Sequence, residues 1–213
     1  MPSFVDYVIV VDDASVDGTS DAARACADER VRVIVHDKNK GVGAAIVTGY
    51  RAAMELTSAP RDALVVMAGD GQMDPADLPA LVQPIAQGTA GYVKGDRFRA
   101  PEVRRVMPRE RFLGGRVLSW MTSRAIGQPI SDSQCGYTAL AREACEKLDL
   151  SGLWEGFGYP NDLLGQLAIR KITIAERCVR PIYADEESKL RVHHLGGVAK
   201  VVLRAWLRRK HLS

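Results

Sequence analysis

Apolar and polar positions along the chain sort into short β-branched runs separated by longer stretches with helical spacing. The run VDYVIVV over 5–11 stops at Asp12-Asp13 and predicts a strand buried on both faces, with carboxylates at its C-terminal end. A helix is expected over 19–28, a second strand over 31–35, and a second helix over 41–56, kept slim by Ala44, Ala45, Val47, Ala52 and Ala53 so that it packs closely on a sheet. A third strand follows over 63–68. Asp74-Pro75 then forms an N-cap and first-turn pair, with Leu78, Leu81, Val82 and Ile85 recurring at helical spacing behind it. Tyr92-Val93-Lys94 falls in a fourth strand. The stretch from Gly95 to Arg111 is rich in arginine, contains Pro101 and Pro108 and has little periodicity, so it reads as a long functional loop. Phe112, Leu113, Val117, Leu118, Met121, Ala125 and Ile126 form one apolar helical face; 131–136 reads as a loop, 159–168 as a helix and 171–180 as a strand.

Strands alternating with helices predict an α/β fold: right-handed crossovers, a mostly parallel sheet flanked by helices, and ligands bound beyond the C-terminal strand ends. Asp12-Asp13 and the loops after Ala68 and Lys94 gather at that edge. The chain divides into an α/β domain over 1–193 and a basic amphipathic helix over 194–213 that carries Trp206.

Composition narrows the class. At 213 residues, 46% of them hydrophobic, the chain has room for one domain with a sizeable core. No apolar run reaches the length of a membrane span, and neither a signal peptide nor a paired-cysteine pattern is visible, so a cytoplasmic location with reduced cysteines is expected. Net charge is only +3 but unevenly spread: residues 1–96 hold 8 basic and 14 acidic side chains, and the rest hold 21 and 12. A basic second half predicts an anionic partner. Nucleic acid is not expected, because no aromatic-interleaved or recognition-helix pattern accompanies the arginines.

Three motifs carry chemistry. In VVDDASVDGTSDAA, Asp12, Asp13, Ser15 and Asp17 occupy the turn after the first strand, where carboxylates accept hydrogen bonds from a base or ribose. Asn39-Lys40-Gly41-Val42-Gly43 opens a helix, and Gly41 and Gly43 would let backbone N–H groups approach a phosphate. In MAGDGQMDP, Asp70 and Gln72 offer oxygen ligands to a hard divalent cation bearing a diphosphate, while Asp74 reads as a helix cap.

Taken in order, VIVVDDASVDGT, NKGVGAAIVTGYRAA, MAGDGQMDPADLPAL, KGDRF, SDSQCGYTAL and YADEESKLR resemble the family 2 glycosyltransferases of the GT-A fold, especially those that transfer sugars to dolichol phosphate or polyprenol phosphate. The resemblance covers most of the chain. It implies an inverting hexosyl transfer from a nucleotide-sugar, of the GDP-mannose or UDP-glucose type, to a polyprenyl phosphate at the membrane surface, with Mg2+ or Mn2+ as cofactor. By the same resemblance Arg97, Arg111 and Arg116 surround the acceptor phosphate. Asp132 and Gln134 face the sugar or acceptor, Asp132 being the base if the acceptor is a sugar hydroxyl. Ser188 and Lys189 belong to a closing loop that reaches a phosphate.

Two departures stand out: Ala68 replaces the first acid of the family's D-x-D motif, and the strand and helix expected ahead of VVDD are not seen. An incomplete sheet edge favours pairing with another chain, a homo-oligomer among the options. Two rival readings follow: an inactive nucleotide-sugar-binding remnant, and a transferase acting on a saccharide hydroxyl.

Overall fold

Strand register sorts the strands of the computed structural model, which describes residues 1–183 and 200–207, into two sheets. In the first, β1 (Val8–Asp12) and β2 (Val31–Val35) run parallel, with Val8 opposite Val31 and Asp12 opposite Val35. The second has the order β3 (Ala63–Val66), β5 (Thr138–Ala141), β4 (Tyr92–Asp96), β6 (Ile174–Cys178). There β4 and β6 are parallel, and β5 lies antiparallel to both of its neighbours. This antiparallel insertion is the departure from a purely parallel expectation. Thr138-Ala139-Leu140-Ala141 does not alternate apolar with polar because all four residues are buried, so its sequence carries no strand period.

Helices flank the strands: α1 (Thr19–Arg24), α2 (Val42–Leu56), α3 (Leu78–Ala86), α4 (Val103–Val106), α5 (Arg109–Ile126), α6 (Arg142–Cys145) and α7 (Tyr159–Ile169). The predicted cap is present, Asp74 accepting from Ala76 N at 2.8 Å ahead of a 3-10 turn over Pro75–Asp77 that leads into α3. Leu81 and Ile85 from α3, Val93 and Leu140 from the sheet, and Leu163, Leu164 and Leu167 from α7 meet in the main core. Every residue from Tyr159 to Leu167 is buried, so α7 is an interior helix rather than a surface one.

The arginine-rich stretch is not a long loop. It folds as a 3-10 turn over Arg97–Arg99, then α4 and α5, around a satellite core of Ala100, Val103 and Met107 covered by Phe98, Phe112 and Tyr183. Phe98 and Phe112 meet edge to face at 5.2 Å. Two prolines and four-residue elements left no period to read. The expected single apolar face of α5 is also divided: Ser119, Thr122, Ala125 and Ile126 point inward, whereas Leu113 and Val117 are exposed together with Trp120.

Residues 200–207 are helical, with Val201, Val202 and Ala205 buried and Leu203, Trp206 and Leu207 exposed. Val202 packs with Ala125 on α5, and Ala205 lies against Gly165 of α7. The remainder of the predicted 194–213 helix, and the boundary at 193, lie outside the described residues. Among the described residues no helix is long and apolar enough to cross a membrane.

Candidate active site

The turn leaving β1 is built by its own carboxylates. Asp12 accepts from Ser15 N at 2.9 Å and from the Ser20 hydroxyl, and hydrogen bonds from Ser15 and then Ser20 hold its carboxyl below the usual range. Asp17 accepts from Thr19 N at 3.1 Å just ahead of α1, whose N-cap is Gly18. Ala14 sits at φ 61, a left-handed conformation that costs energy without glycine and marks this turn as held by its surroundings. Ser15 and Asp17 stay exposed.

Asp13 reaches across to the glycine motif. It takes His36 Nδ1 at 2.7 Å, Lys40 N at 2.8 Å and Gly41 N at 2.7 Å, while His36 Nε2 lies 2.9 Å from Thr48 Oγ1. Burial pushes the Asp13 carboxyl up, but the hydrogen bonds from His36, Lys40 and Gly41 outweigh it and leave it lowered. Gly43 N donates to Glu155 O. The N–H groups of Gly41 and Gly43, expected to approach a phosphate, are engaged here by Asp13 and Glu155. Their lack of a side chain has another reason: a Cβ at Gly43 would stand 2.1 Å from Trp154 O, and one at Gly41 2.7 Å from Glu155 O. Asn39, between these groups, is exposed.

Beyond β3, Asp70 is exposed and accepts from Gln72 N at 3.0 Å. Among the described residues no cluster of three acidic, histidine or cysteine side chains is placed to hold a metal. Asp70 and Gln72 supply hard oxygen donors but too few to enclose a cation. They fit a Mg2+ or Mn2+ that keeps most of its ligands from water and a bound diphosphate, the mode usual for Mg2+.

At the end of β4 a buried ionic network replaces the open acid expected at Asp132. Asp132 has no exposed surface; Arg97 grips it through Nε at 2.7 Å and the second guanidinium nitrogen at 3.0 Å, and the N–H groups of Gln134 and Cys135 donate at 3.2 and 3.1 Å. Burial raises the Asp132 carboxyl, yet the Arg97 charge and hydrogen bonds overcome this and hold it below the ordinary range, while Arg97 is raised in turn. A carboxylate so saturated is no proton acceptor. The role of base expected for Asp132 with a hydroxyl acceptor is thus corrected: the residue anchors Arg97. Gln134 is likewise engaged, donating to Ser133 Oγ at 2.8 Å and Asn161 Oδ1 at 3.3 Å.

Arg97 continues to Tyr183, whose hydroxyl lies 3.5 Å away, and Arg111 stacks over the same ring at 4.8 Å. Arg116 stands one layer off, 5.7 Å above Phe98. Gln72, Arg97, Tyr137, Arg180 and Tyr183 line one cleft, which joins the Asp70 loop to the arginine cluster. Ser188 and Lys189 lie outside the described residues.

Several residues here were not singled out from sequence. Arg180 pairs with Asp74 at 2.8 Å and its N–H bonds Asp77 at 2.8 Å, tying the end of β6 to the loop after β3. Its position at the end of a predicted strand was the available signal. Lys94 is wholly buried with Nζ 2.6 Å from Cys135 O, and burial lowers its ammonium below the usual range. Asp96 is buried too, its carboxyl raised by burial and then by Glu176 and Asp132. Arg99 Nε approaches Asp96 Oδ2 to 2.9 Å, near enough for an ion pair but out of line for a hydrogen bond.

Comparison with known proteins places these features. The profile described as Glycosyl transferase family 2 matches residues 4–149. A UDP-N-acetylglucosamine--dolichyl-phosphate N-acetylglucosaminyltransferase from Methanococcus voltae is 30% identical over 194 residues, covering 84% of this chain and 76% of that one. An undecaprenyl-phosphate mannosyltransferase from Micrococcus luteus is 33% identical over 172 residues, 73% of this chain and 63% of its own length. Among solved structures, glucosyl-3-phosphoglycerate synthase from Mycobacterium tuberculosis, in complex with Mn2+, uridine diphosphate and glucosyl-3-phosphoglycerate, superposes with a TM-score of 0.68 at 21% identity, over 96% of this chain and 69% of that one. At that identity the likeness establishes the GT-A fold.

Proposed function

Because the chain belongs to glycosyl transferase family 2, we propose that it moves a hexose from a nucleotide-sugar of the GDP-mannose or UDP-glucose type to a polyprenyl or dolichyl phosphate, inverting the anomeric carbon. The observation that carries this reading is the convergence of Arg97 and Arg111 on Tyr183, in the cleft that also contains Gln72 of the Asp70 loop. Guanidinium groups bind phosphate oxygens bidentately and stay charged, so an acceptor phosphate suits that cluster. The names of the two relatives, both transferases to lipid phosphates, point the same way.

Each part of the chain then has a task. Asp12, Asp13, Ser15 and Asp17 shape the turn that meets the nucleoside, and Asp13 also fixes the segment with Asn39, Gly41 and Gly43. Asp70 and Gln72 would hold Mg2+ or Mn2+ against the donor diphosphate. When bound, that ion supplies neutralisation of charge on the leaving phosphate. Arg97, set by Asp132, and Arg111 hold the acceptor phosphate in line with the anomeric carbon, and Arg116, Gln134, Ser188 and Lys189 complete the acceptor side. The attacking phosphate oxygen is already anionic. No general base is needed, which agrees with the closed state of Asp132.

The test is transfer from labelled GDP-mannose and UDP-glucose to a short-chain polyprenyl phosphate with Mg2+ or Mn2+. Transfer that requires the metal, falls about 100-fold or more in Asp70→Ala and gives a product of inverted configuration is expected. A folded protein that turns over neither donor would overturn the reading in favour of the inactive remnant. For Arg111→Ala, the acceptor KM should rise about tenfold with little change for the donor, as expected when one charged contact is lost.

A further inference from the structure

The strand β2 is followed by a histidine that is better buried than the valine before it. His36 is 8% exposed where Val35 is 43% exposed, and no other residue over 31–40 is buried. Its main chain continues the strand pair, His36 N donating to Asp12 O at 2.9 Å. Its ring bridges two elements: Nδ1 lies 2.7 Å from Asp13 Oδ1, and Nε2 lies 2.9 Å from Thr48 Oγ1 on α2. The lowered Asp13 carboxyl is ionised and can only accept, so Nδ1 carries the ring proton. In the neutral ring Nε2 is then an acceptor, and the Thr48 hydroxyl donates to it. Both nitrogens are held, and with them the plane of the imidazole.

A buried histidine with both nitrogens satisfied is ordinarily part of the packing. The difference here lies in what its partner has left to offer. A carboxylate presents about four acceptor positions. On Asp13, Oδ1 receives His36 Nδ1 and Lys40 N, and Oδ2 receives Gly41 N. One position on Oδ2 remains, and 20% of the Asp13 side chain is open to solvent, at the strand end where sheets of this kind bind their ligands.

We propose that His36 is a positioning residue for the nucleotide donor: its Nδ1–H occupies Asp13 Oδ1 and so turns Oδ2 toward an N–H or O–H group of the nucleoside. The histidine touches no ligand; it acts through Asp13, as a supporting hydrogen bond locks the rotamer of a binding group. The inference rests on the nucleoside reading of this turn given above and adds the group that sets it.

Two amides separate positioning from packing. Asparagine can place its side-chain N–H where Nδ1 stands and keep the bond to Asp13, whereas glutamine reaches toward Thr48 and leaves Asp13 Oδ1 without that donor. Binding of UDP and GDP to the full chain with Mg2+ present, measured by titration calorimetry, should weaken about tenfold in His36→Gln, as for the loss of one hydrogen bond to a charged group, and stay near the parent's in His36→Asn. Inorganic pyrophosphate, which has no nucleoside, should bind all three proteins alike. Nitrogen-15 NMR of the ring at alkaline pH, where imidazole is neutral, should show Nδ1 protonated. Parent-like nucleotide binding in His36→Gln, equal weakening in both amides, pyrophosphate binding lost in step with the nucleotide, or a ring protonated at Nε2 overturns the positioning role and leaves the donor reading standing. A parent that binds neither nucleotide overturns the donor reading and this role with it.

Discussion

At the residue scale, burial decides what the acids of this protein can do. Asp132 was readable as a polar residue in a motif, but the sequence holds no sign that Arg97, 35 positions away, closes over it. Breaking a buried pair leaves an uncompensated charge, so Asp132→Asn should lose about 3–5 kcal/mol of stability, read by urea unfolding. Because the Asp132 carboxyl is lowered in the fold, its contribution is present above the unfolded-state pKa and disappears as pH falls through the folded value. The loss in Asp132→Asn should therefore shrink under acid conditions. Asp96 has the opposite sign. Its carboxyl is raised, so the native state holds the proton more tightly than the unfolded chain and stability drains as pH rises through the folded value. Asp96→Asn keeps an acceptor for Phe98 N, now 2.9 Å from Asp96 Oδ1, and its stability relative to the parent should improve from acid to neutral pH. A constant difference across that range would show that Asp96 is not strained by its acidic neighbours.

At the scale of elements, legibility followed periodicity. β1, β2 and α2 were plain because valine runs and a slim alanine face have no other use. β5 and α4 were hidden, since four residues buried on every side, or four residues between prolines, complete no period. β4 shows why such reading falters at a site. It contains Lys94 and Asp96, whose charge alone would turn them outward, yet all five residues are buried, Lys94 donating to Cys135 O and Asp96 accepting from Phe98 N and pairing with Arg99. Close packing between elements was equally silent in the sequence. Gly43 was read as a phosphate glycine, whereas a methyl there would strike Trp154 O at 2.1 Å, a backbone atom with no freedom to turn away. Gly43→Ala should destabilise by about 1–3 kcal/mol, seen as a lowered melting temperature. Gly165 is the milder case, a Cβ meeting Ala205 Cβ at 2.8 Å. Gly165→Ala should lift the 200–207 helix and speed proteolysis of the C-terminal segment while β4 and β5 stay protected.

For the whole molecule, the separation into two sheets predicts unequal stability. β4 is buried along its full length and paired on both sides, by β5 and by β6. β1 pairs only with β2 among the described residues, and four of its five residues are partly exposed. Helix α2 links the halves, packing on β1 and β3, while Gly43 N fastens its start to Glu155 O and Gly41 packs closely against the same carbonyl. Less buried apolar surface, and pairing on one side only among the described residues, mean that β1 and β2 should open without the rest of the protein. The turn with Asp12, Asp13, Ser15 and Asp17 hangs on this weaker half, whereas Arg97 and Arg111 belong with the stronger one. In native-state hydrogen exchange, amides of β1 and β2 should exchange well before those of β4 and β5. A nucleotide donor that binds the turn should slow the first group and leave the second unchanged, because ligand binding stabilises only the openings that destroy its site. Uniform exchange across both sheets would mean that α2 couples them into one unit, and donor binding would then protect β4 as much as β1.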